Sequence, residues 1–214
     1  MITPNRFLCW DCDEGMDQIE PGSIDLIFTD PPYIQEIYQS AYSVLARPAE
    51  RVLKPSGFLI TYAPQYRLNE ILEILGKHLT YFWQAIQLNE SSRMAMVYQN
   101  RVMCGYKPIL IYQKSPHAPP KKVSLDVIRG RKAKKYHPWE QSIHEALHLL
   151  SRFAVPGEIM LDPYAGSGTS LLAAKLLGLQ YIGFEYDPEY YEIALTRLNQ
   201  VPLDLKTFKE GAEA

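Results

Sequence analysis

An excess of charge of either sign is missing from this chain: 22 Lys and Arg stand against 24 Asp and Glu over 214 residues, a formal net charge of -2. A protein that coats nucleic acid indiscriminately needs a basic surplus, so that class is excluded and any contact with a polyanion must be local. Cysteine is scarce. Cys9, Cys12 and Cys104 make no even framework, which excludes a disulfide scaffold, and with no signal peptide at the start they predict a reducing, cytoplasmic setting. The spacing of Cys9 and Cys12 mimics a redox or zinc pair, but no second pair follows, and both are expected to be core thiols. No apolar run reaches membrane-spanning length, and neither internal repeats nor low-complexity tracts occur. With 47% hydrophobic and 21% charged residues, the composition predicts one domain over 1–214 with a sizeable core.

The pattern within those bounds alternates strands with helices. Apolar runs at Arg6–Trp10, Ile24–Phe28, Phe58–Ala63, Tyr81–Leu88, Pro108–Tyr112, Ile159–Leu161 and Tyr181–Phe184 read as strands. Helical spacing marks Ile37–Leu53 with an interruption at Pro48, Leu68–Leu75 closed by Gly76, about Glu140 to Phe153, Thr169–Leu177 and Pro188–Leu198. Residues Asn89–Tyr106 show no clean period. Alternation of this kind predicts an α/β fold with a mostly parallel, doubly wound sheet, in which ligands bind beyond the carboxyl ends of the strands. Four apolar runs end at or next to an acid, Asp11, Asp30, Asp162 or Glu185, so all four acids are expected along one edge.

At the second of these acids stands Asp30-Pro31-Pro32-Tyr33. Proline donates nothing to a sheet ladder and holds the preceding residue extended, so the strand must stop there with the Pro31 carbonyl unused. A carboxylate and a carbonyl then converge where an exocyclic NH2 could sit, and Tyr33 offers a ring for a flat base to stack on. An enzyme that modifies a flipped nucleobase needs such an arrangement. Read alone, the tetrapeptide is equally well an ordinary strand-ending turn.

After Asp162 the chain reads Pro163-Tyr164-Ala165-Gly166-Ser167-Gly168-Thr169 and enters a helix. The glycines let backbone approach a ligand closely, and the helix start offers N–H groups. No Lys follows the second glycine, which excludes a P-loop, and the third glycine of a dinucleotide fingerprint is missing. Glu185 ends the next strand, where a carboxylate can take both hydroxyls of a ribose. Among four carboxylates a pyrophosphate is badly placed, whereas S-adenosylmethionine carries a sulfonium, a ribose and no phosphate.

These motifs, in this order, resemble the beta class of DNA amino-methyltransferases, in which Asp-Pro-Pro-Tyr precedes the cofactor loop. The resemblance covers Cys9–Tyr33 and Tyr136–Leu198, and implies a Rossmann-like S-adenosylmethionine-dependent fold with circularly permuted motif order. It assigns Asp30, Pro31, Pro32 and Tyr33 to the catalytic motif, with Asp30 also beside the cofactor. The cofactor site it implies takes His137, Asp162, Pro163, Tyr164, Gly166, Ser167, Gly168, Thr169 and Tyr186, with Glu185 at the ribose and Asp11 and Cys12 beside the adenine. His137-Pro138 matches the motif before the loop. The chain departs from the family with Gln141 where a lysine is common and Trp10 where a glycine is usual. Methyl transfer to adenine N6 in DNA is the expected activity, because Asp at the motif's first position is commoner in adenine enzymes, with cytosine N4 as the alternative. DNA is the expected partner, no membrane is, and a homodimer and a cognate restriction nuclease are compatible with the resemblance.

A basic, Pro-rich segment at about 113–136 is expected to be a loop on DNA phosphates through Lys121, Lys122, Arg129, Arg131, Lys132, Lys134 and Lys135, with no large separate target-recognition domain. That segment alone would also suit a non-enzymatic nucleic-acid-binding module, which leaves the two motifs unexplained. His144-Glu145-Ala146-Leu147-His148 satisfies a zinc-protease pattern. The apolar stripe of its helix leaves both histidines on the flank and no third ligand stands out, so no metal is expected.

Overall fold

The computed structural model describes residues 2–34, 37–88, 95–97, 100–129 and 143–200. Its centre is an eight-stranded sheet. Strands β1 (Arg6–Leu8), β2 (Ile24–Thr29), β3 (Leu53–Tyr62), β9 (Ile159–Asp162) and β10 (Gln180–Phe184) lie parallel in the order β1-β10-β9-β2-β3. Beyond β3 the sheet continues with β7 (Tyr106–Gln113), antiparallel to both neighbours, then β4 (Thr80–Leu88), and last β8 (Val127–Arg129), parallel to β4. A separate hairpin pairs β5 (Ala95–Val97) with β6 (Val102–Cys104).

Period-2 alternation sends the strand side chains to two cores. Leu26, Phe28, Phe58, Ile60, Ile109, Ile111 and Met160 face α4 (Ile143–Phe153), α5 (Thr169–Leu176) and α6 (Pro188–Gln200). Ile27, Leu59, Leu110, Leu161, Ile182 and Phe184 face α1 (Cys12–Asp17), α2 (Tyr38–Val52) and α3 (Leu68–Gly76). Strands buried on both faces read as unbroken apolar runs, which is why the parallel sheet was visible in the sequence. The chain steps from β9 to β10 in one direction and from β2 to β3 in the other. A switch point therefore opens between β9 and β2, the place where such sheets bind ligands.

Several expectations need correction. Pro48 does not interrupt α2, which runs through it. Val44, whose carbonyl loses its N–H partner, and Pro48 both lie on the half-buried side of the helix, where water can replace the lost bond. Cys9 is exposed and only Cys12 is buried, because β1 ends at Leu8 and Cys9 falls beyond it. The supposed loop at 113–136 contains β8, held at the sheet edge by β4, and the unperiodic 89–106 stretch contains the β5–β6 hairpin. The expected start of α4 near Glu140 lies outside the described residues, and the helix is described from Ile143.

Gly183 lets α5 close on the sheet: a Cβ there would stand 2.6 Å from Leu171 Cδ1 and 2.8 Å from Cδ2. Overpacking a filled core costs about 1–3 kcal/mol. Gly183→Ala is accordingly expected to lower unfolding free energy by about that amount in urea denaturation. An unchanged midpoint would show that Leu171 yields freely.

Candidate active site

Asp162, ending β9, is 3% exposed and sits at the switch point. Its Oδ1 accepts from Thr29 Oγ1 of β2 at 2.7 Å and from the Tyr164 backbone N–H at 3.0 Å, and Oδ2 accepts from the Ser170 hydroxyl of α5. Burial pushes its carboxyl up to about 6, against these hydrogen bonds, which pull it down.

The loop after Asp162 turns on Gly166 (φ 51°) and Gly168 (φ 77°), both left-handed. A side chain at 168 would also meet Ala194 Cβ at 2.8 Å, so glycine is required there twice over. Glu185 braces the loop: its Oε2 accepts from Gly166 N at 2.8 Å and its Oε1 from Asp187 N at 2.9 Å. Burial raises the Glu185 carboxyl above its ordinary value. Arg197 of α6, buried, donates to Ser167 O at 2.6 Å and to Ser167 Oγ at 2.9 Å and fixes the loop from behind. Nothing in the sequence marked Arg197.

Asp11 caps α1, its side chain accepting from Asp13 N at 2.9 Å. The Cys12 thiol donates to Tyr164 Oη at 3.0 Å, and Tyr164 Oη donates to Ala41 O at 3.1 Å. Burial pushes the Cys12 thiol up to about 12, so it stays protonated and unreactive at neutral pH. Tyr186 is exposed beside Glu185, its carbonyl 3.9 Å from Cys9 Sγ. The structure thus brings Asp11, Cys12, Asp162, Pro163, Tyr164, Gly166, Ser167, Gly168, Thr169, Glu185 and Tyr186 to one edge, at the carboxyl ends of β1, β9 and β10.

Asp30 follows β2 on the same edge. Its Oδ1 accepts from the Tyr33 hydroxyl and its Oδ2 from Lys107 Nζ at 2.8 Å. The Pro31 carbonyl accepts no hydrogen bond among the described residues. Tyr66 Oη donates to Tyr33 O at 2.8 Å and holds the turn. Burial, and the Asp30 carboxylate beside it, push the Tyr33 hydroxyl well above its ordinary value, so it remains a donor. Lys107 Nζ also lies 5.0 Å from the Tyr33 ring centroid and 4.8 Å from that of Tyr62. Lys107 is the second residue of β7, and because β7 is antiparallel to β3 its first residues arrive beside the last residues of β3.

The basic segment divides. Arg129 ends β8 opposite Leu88, at the carboxyl edge. Lys121 pairs with Glu158 at 2.9 Å and Lys122 N donates to Arg152 O, which places both at the opposite edge, near Asp25 and Lys54. Arg131, Lys132, Lys134, Lys135, His137 and Gln141 lie outside the described residues. His144 and His148 are half-buried on α4, and burial and Arg152 lower the His148 pKa. Among the described residues no group of three His, Cys, Asp or Glu assembles around them, and no helix is long and apolar enough to cross a membrane.

A doubly wound sheet with a glycine loop, an acid ending the next strand and a second motif across the switch point defines a nucleotide-cofactor-binding α/β enzyme of permuted order. More specifically, a family model described as DNA methylase, for the N6 and N4 amino-methyltransferases, matches residues 24–196, and the chain belongs to that family. Among relatives, YubD of Escherichia coli (strain K12), a methylase by name, is 28% identical over 97% of this chain and 95% of its own. The type II methyltransferase M.HpaI of Haemophilus parainfluenzae is 27% identical over 91% and 74%. The solved PvuII DNA methyltransferase, cytosine-N4-specific, superposes with TM-score 0.80 at 16% identity over 97% of this chain and 92% of that one. The M1.HpyAVI complex with S-adenosylmethionine does so with TM-score 0.72 at 23% identity over 91% and 98%. These two likenesses carry the fold, and with the family match they bear out the expected α/β architecture and the resemblance read from the motifs.

Asp162 also yields a pH prediction. Its folded value of about 6 lies above the ordinary 3.8, so between the two the folded protein binds a proton that the unfolded chain has lost. Its contribution to stability therefore falls as pH rises through that window and is least favourable above about 6. Ser170→Ala removes a donor that favours the carboxylate, and is expected to move the Asp162 midpoint higher still, read by carboxyl carbon NMR. A midpoint that stays put or falls would mean Ser170 does not stabilise the ionised form.

Proposed function

We propose that this DNA methyltransferase transfers a methyl group from S-adenosylmethionine to the N6 amine of adenine in DNA. The observation that carries the reading is the juxtaposition of Asp30 and Asp162 across the switch point, joined by Thr29, which precedes one and hydrogen-bonds the other at 2.7 Å. An acceptor for an amine and a cofactor loop then open on one crevice. The donor set fits the cofactor: Asp162, Glu185 and Asp11 supply carboxylates, no lysine stands in the loop to meet a phosphate, and left-handed glycines bring backbone close. When bound, S-adenosylmethionine supplies a methyl on a positively charged sulfur. Glu185 is suited to the ribose hydroxyls, since it is an acceptor whose oxygens the backbone N–H groups of Gly166 and Asp187 hold in place at the end of β10.

The chain's own residues supply position and charge. An aromatic amine is a poor nucleophile because its lone pair is delocalised into the ring. Hydrogen bonds from NH2 to Asp30 and to the Pro31 carbonyl favour a pyramidal nitrogen with its lone pair aimed away from both acceptors. Tyr33 presents a ring for the base, held by Tyr66. The proton that the amine would lose on accepting the methyl would leave on the side where Asp30 stands. Adenine is preferred over cytosine because Asp, and not Ser, opens the Asp30-Pro31-Pro32-Tyr33 motif, the form that the resemblance associates with adenine enzymes. Arg129 and the basic residues after it are proposed to meet DNA phosphates. A companion restriction nuclease is supported by the likeness to type II methyltransferases.

Asp30→Ala is expected to abolish methylation, a loss of at least about 100-fold, in a protein that still folds and binds cofactor by calorimetry. Substantial methylation by the mutant would remove Asp30 from the reaction. Nucleoside mass spectrometry of DNA from expressing cells decides the base: N6-methyladenine is expected, and N4-methylcytosine alone would transfer the same mechanism to cytosine.

A further inference from the structure

We propose that Lys107 reads the ring nitrogen next to the target amine, so that Asp30 and Lys107 together recognise an edge that adenine and cytosine share. The inference rests on the methyl-transfer reading above and adds a residue to it. Lys107 Nζ carries three N–H groups, and one goes to Asp30 Oδ2 at 2.8 Å. No other acceptor engages Nζ among the described residues. Its side chain is 27% exposed and that of Asp30 23%, so the pair is half-sheltered and open to the crevice. Two tyrosine faces fix the ammonium, at 5.0 Å from the Tyr33 centroid and 4.8 Å from that of Tyr62, an arrangement that attracts a cation and limits its swing.

An acceptor and a donor thus stand side by side, next to the ring offered for stacking. A base that places NH2 against Asp30 brings the adjacent ring atom toward Lys107. In adenine that atom is N1 and in cytosine N3, both bare acceptors. Guanine and thymine reverse the pattern: a carbonyl would face the carboxylate and a ring N–H would face the ammonium. Both mismatches leave polar groups unpaired in a sheltered site, which is how a hydrogen-bonding pocket rejects the wrong ligand. Lys107 is therefore a specificity-determining residue that restricts the pocket to amino bases, and it leaves the choice between adenine and cytosine to other groups.

The test crosses a protein change with a base change. A duplex carrying the sequence found methylated in expressing cells is made with adenine or with 1-deazaadenine at the target, or with cytosine and 3-deazacytosine if cytosine is the modified base. The deaza analogue replaces only the ring nitrogen by C–H, and its altered amine is common to both proteins and cancels. For the unaltered protein, kcat/KM is expected to fall on the order of 10- to 100-fold on the analogue, the size of one charge-assisted hydrogen bond. For Lys107→Met the two bases should differ by no more than about threefold. Equal losses in both proteins would show that Lys107 acts only by holding Asp30, and would overturn the proposal. If Lys107→Met turns over too slowly to time, the affinities of the same duplexes with S-adenosylhomocysteine complete the same cycle: a loss confined to the unaltered protein supports the proposal, and equal losses overturn it. Failure of the unaltered protein to methylate adenine or cytosine in any duplex would overturn the function proposed above and this inference with it.

Discussion

A carboxylate buried at the seam of a sheet must be surrounded by donors, and much of this site follows from meeting that demand at Asp162. An isolated charge in an apolar interior is prohibitively costly, so the structure gathers a hydroxyl from β2, a backbone N–H from the glycine loop and a hydroxyl from the first turn of α5. Each donor comes from a different element. Satisfying one acid therefore ties the sequence-early half of the sheet, which carries Asp30, to the sequence-late half, which carries the loop. The hydrogen bonds offset the burial only in part, since the carboxyl still sits near 6, above its ordinary range.

Most of the fold was legible because its signals are local. Parallel strands buried on both faces are unbroken apolar runs, and glycines with positive φ stand where the chain must turn tightly. Asp30-Pro31-Pro32-Tyr33 and Asp162–Thr169 are contiguous, so each motif carries its own geometry. What escaped was contributed from a distance. Lys107 is one residue outside the predicted strand at Pro108–Tyr112, and its approach to Asp30 depends on β7 running antiparallel to β3, a fact of pairing and not of composition. Arg197 reaches Ser167 from α6 across a helix packing that no spacing rule reveals. Pro48 misled for the opposite reason: a strong local breaker lies where the helix is half-exposed and solvent can replace the missing bond.

The segment at 113–136 shows how a charge count can mislead about placement. Read as one patch, its lysines and arginines form a continuous cation surface. The sheet pulls the described ones apart, because β8 carries Arg129 to the carboxyl edge while Lys121 is anchored to Glu158 at the amino end of β9. A surface ion pair contributes little to stability. It does lower the local positive potential, so Lys121 is a weaker attractant for phosphate than its place in a basic run suggests.

Geometry also bears on where DNA can approach. In the proposed reaction a base would reach Asp30 from the carboxyl edge, since the opposite edge is separated from it by the length of the strands and by both cores. The cations that matter are then those the fold delivers to that edge. Lys107 is one, held inward by a carboxylate and two aromatic rings, and Arg129 is another, at the end of the outermost strand. Between them β4 ends at Leu88, so Asp30, its lysine and the outer arginine lie along one rim. A chain with a net charge of -2 can thus still offer a polyanion a local foothold, because the fold places positive charge beside the acids at this rim.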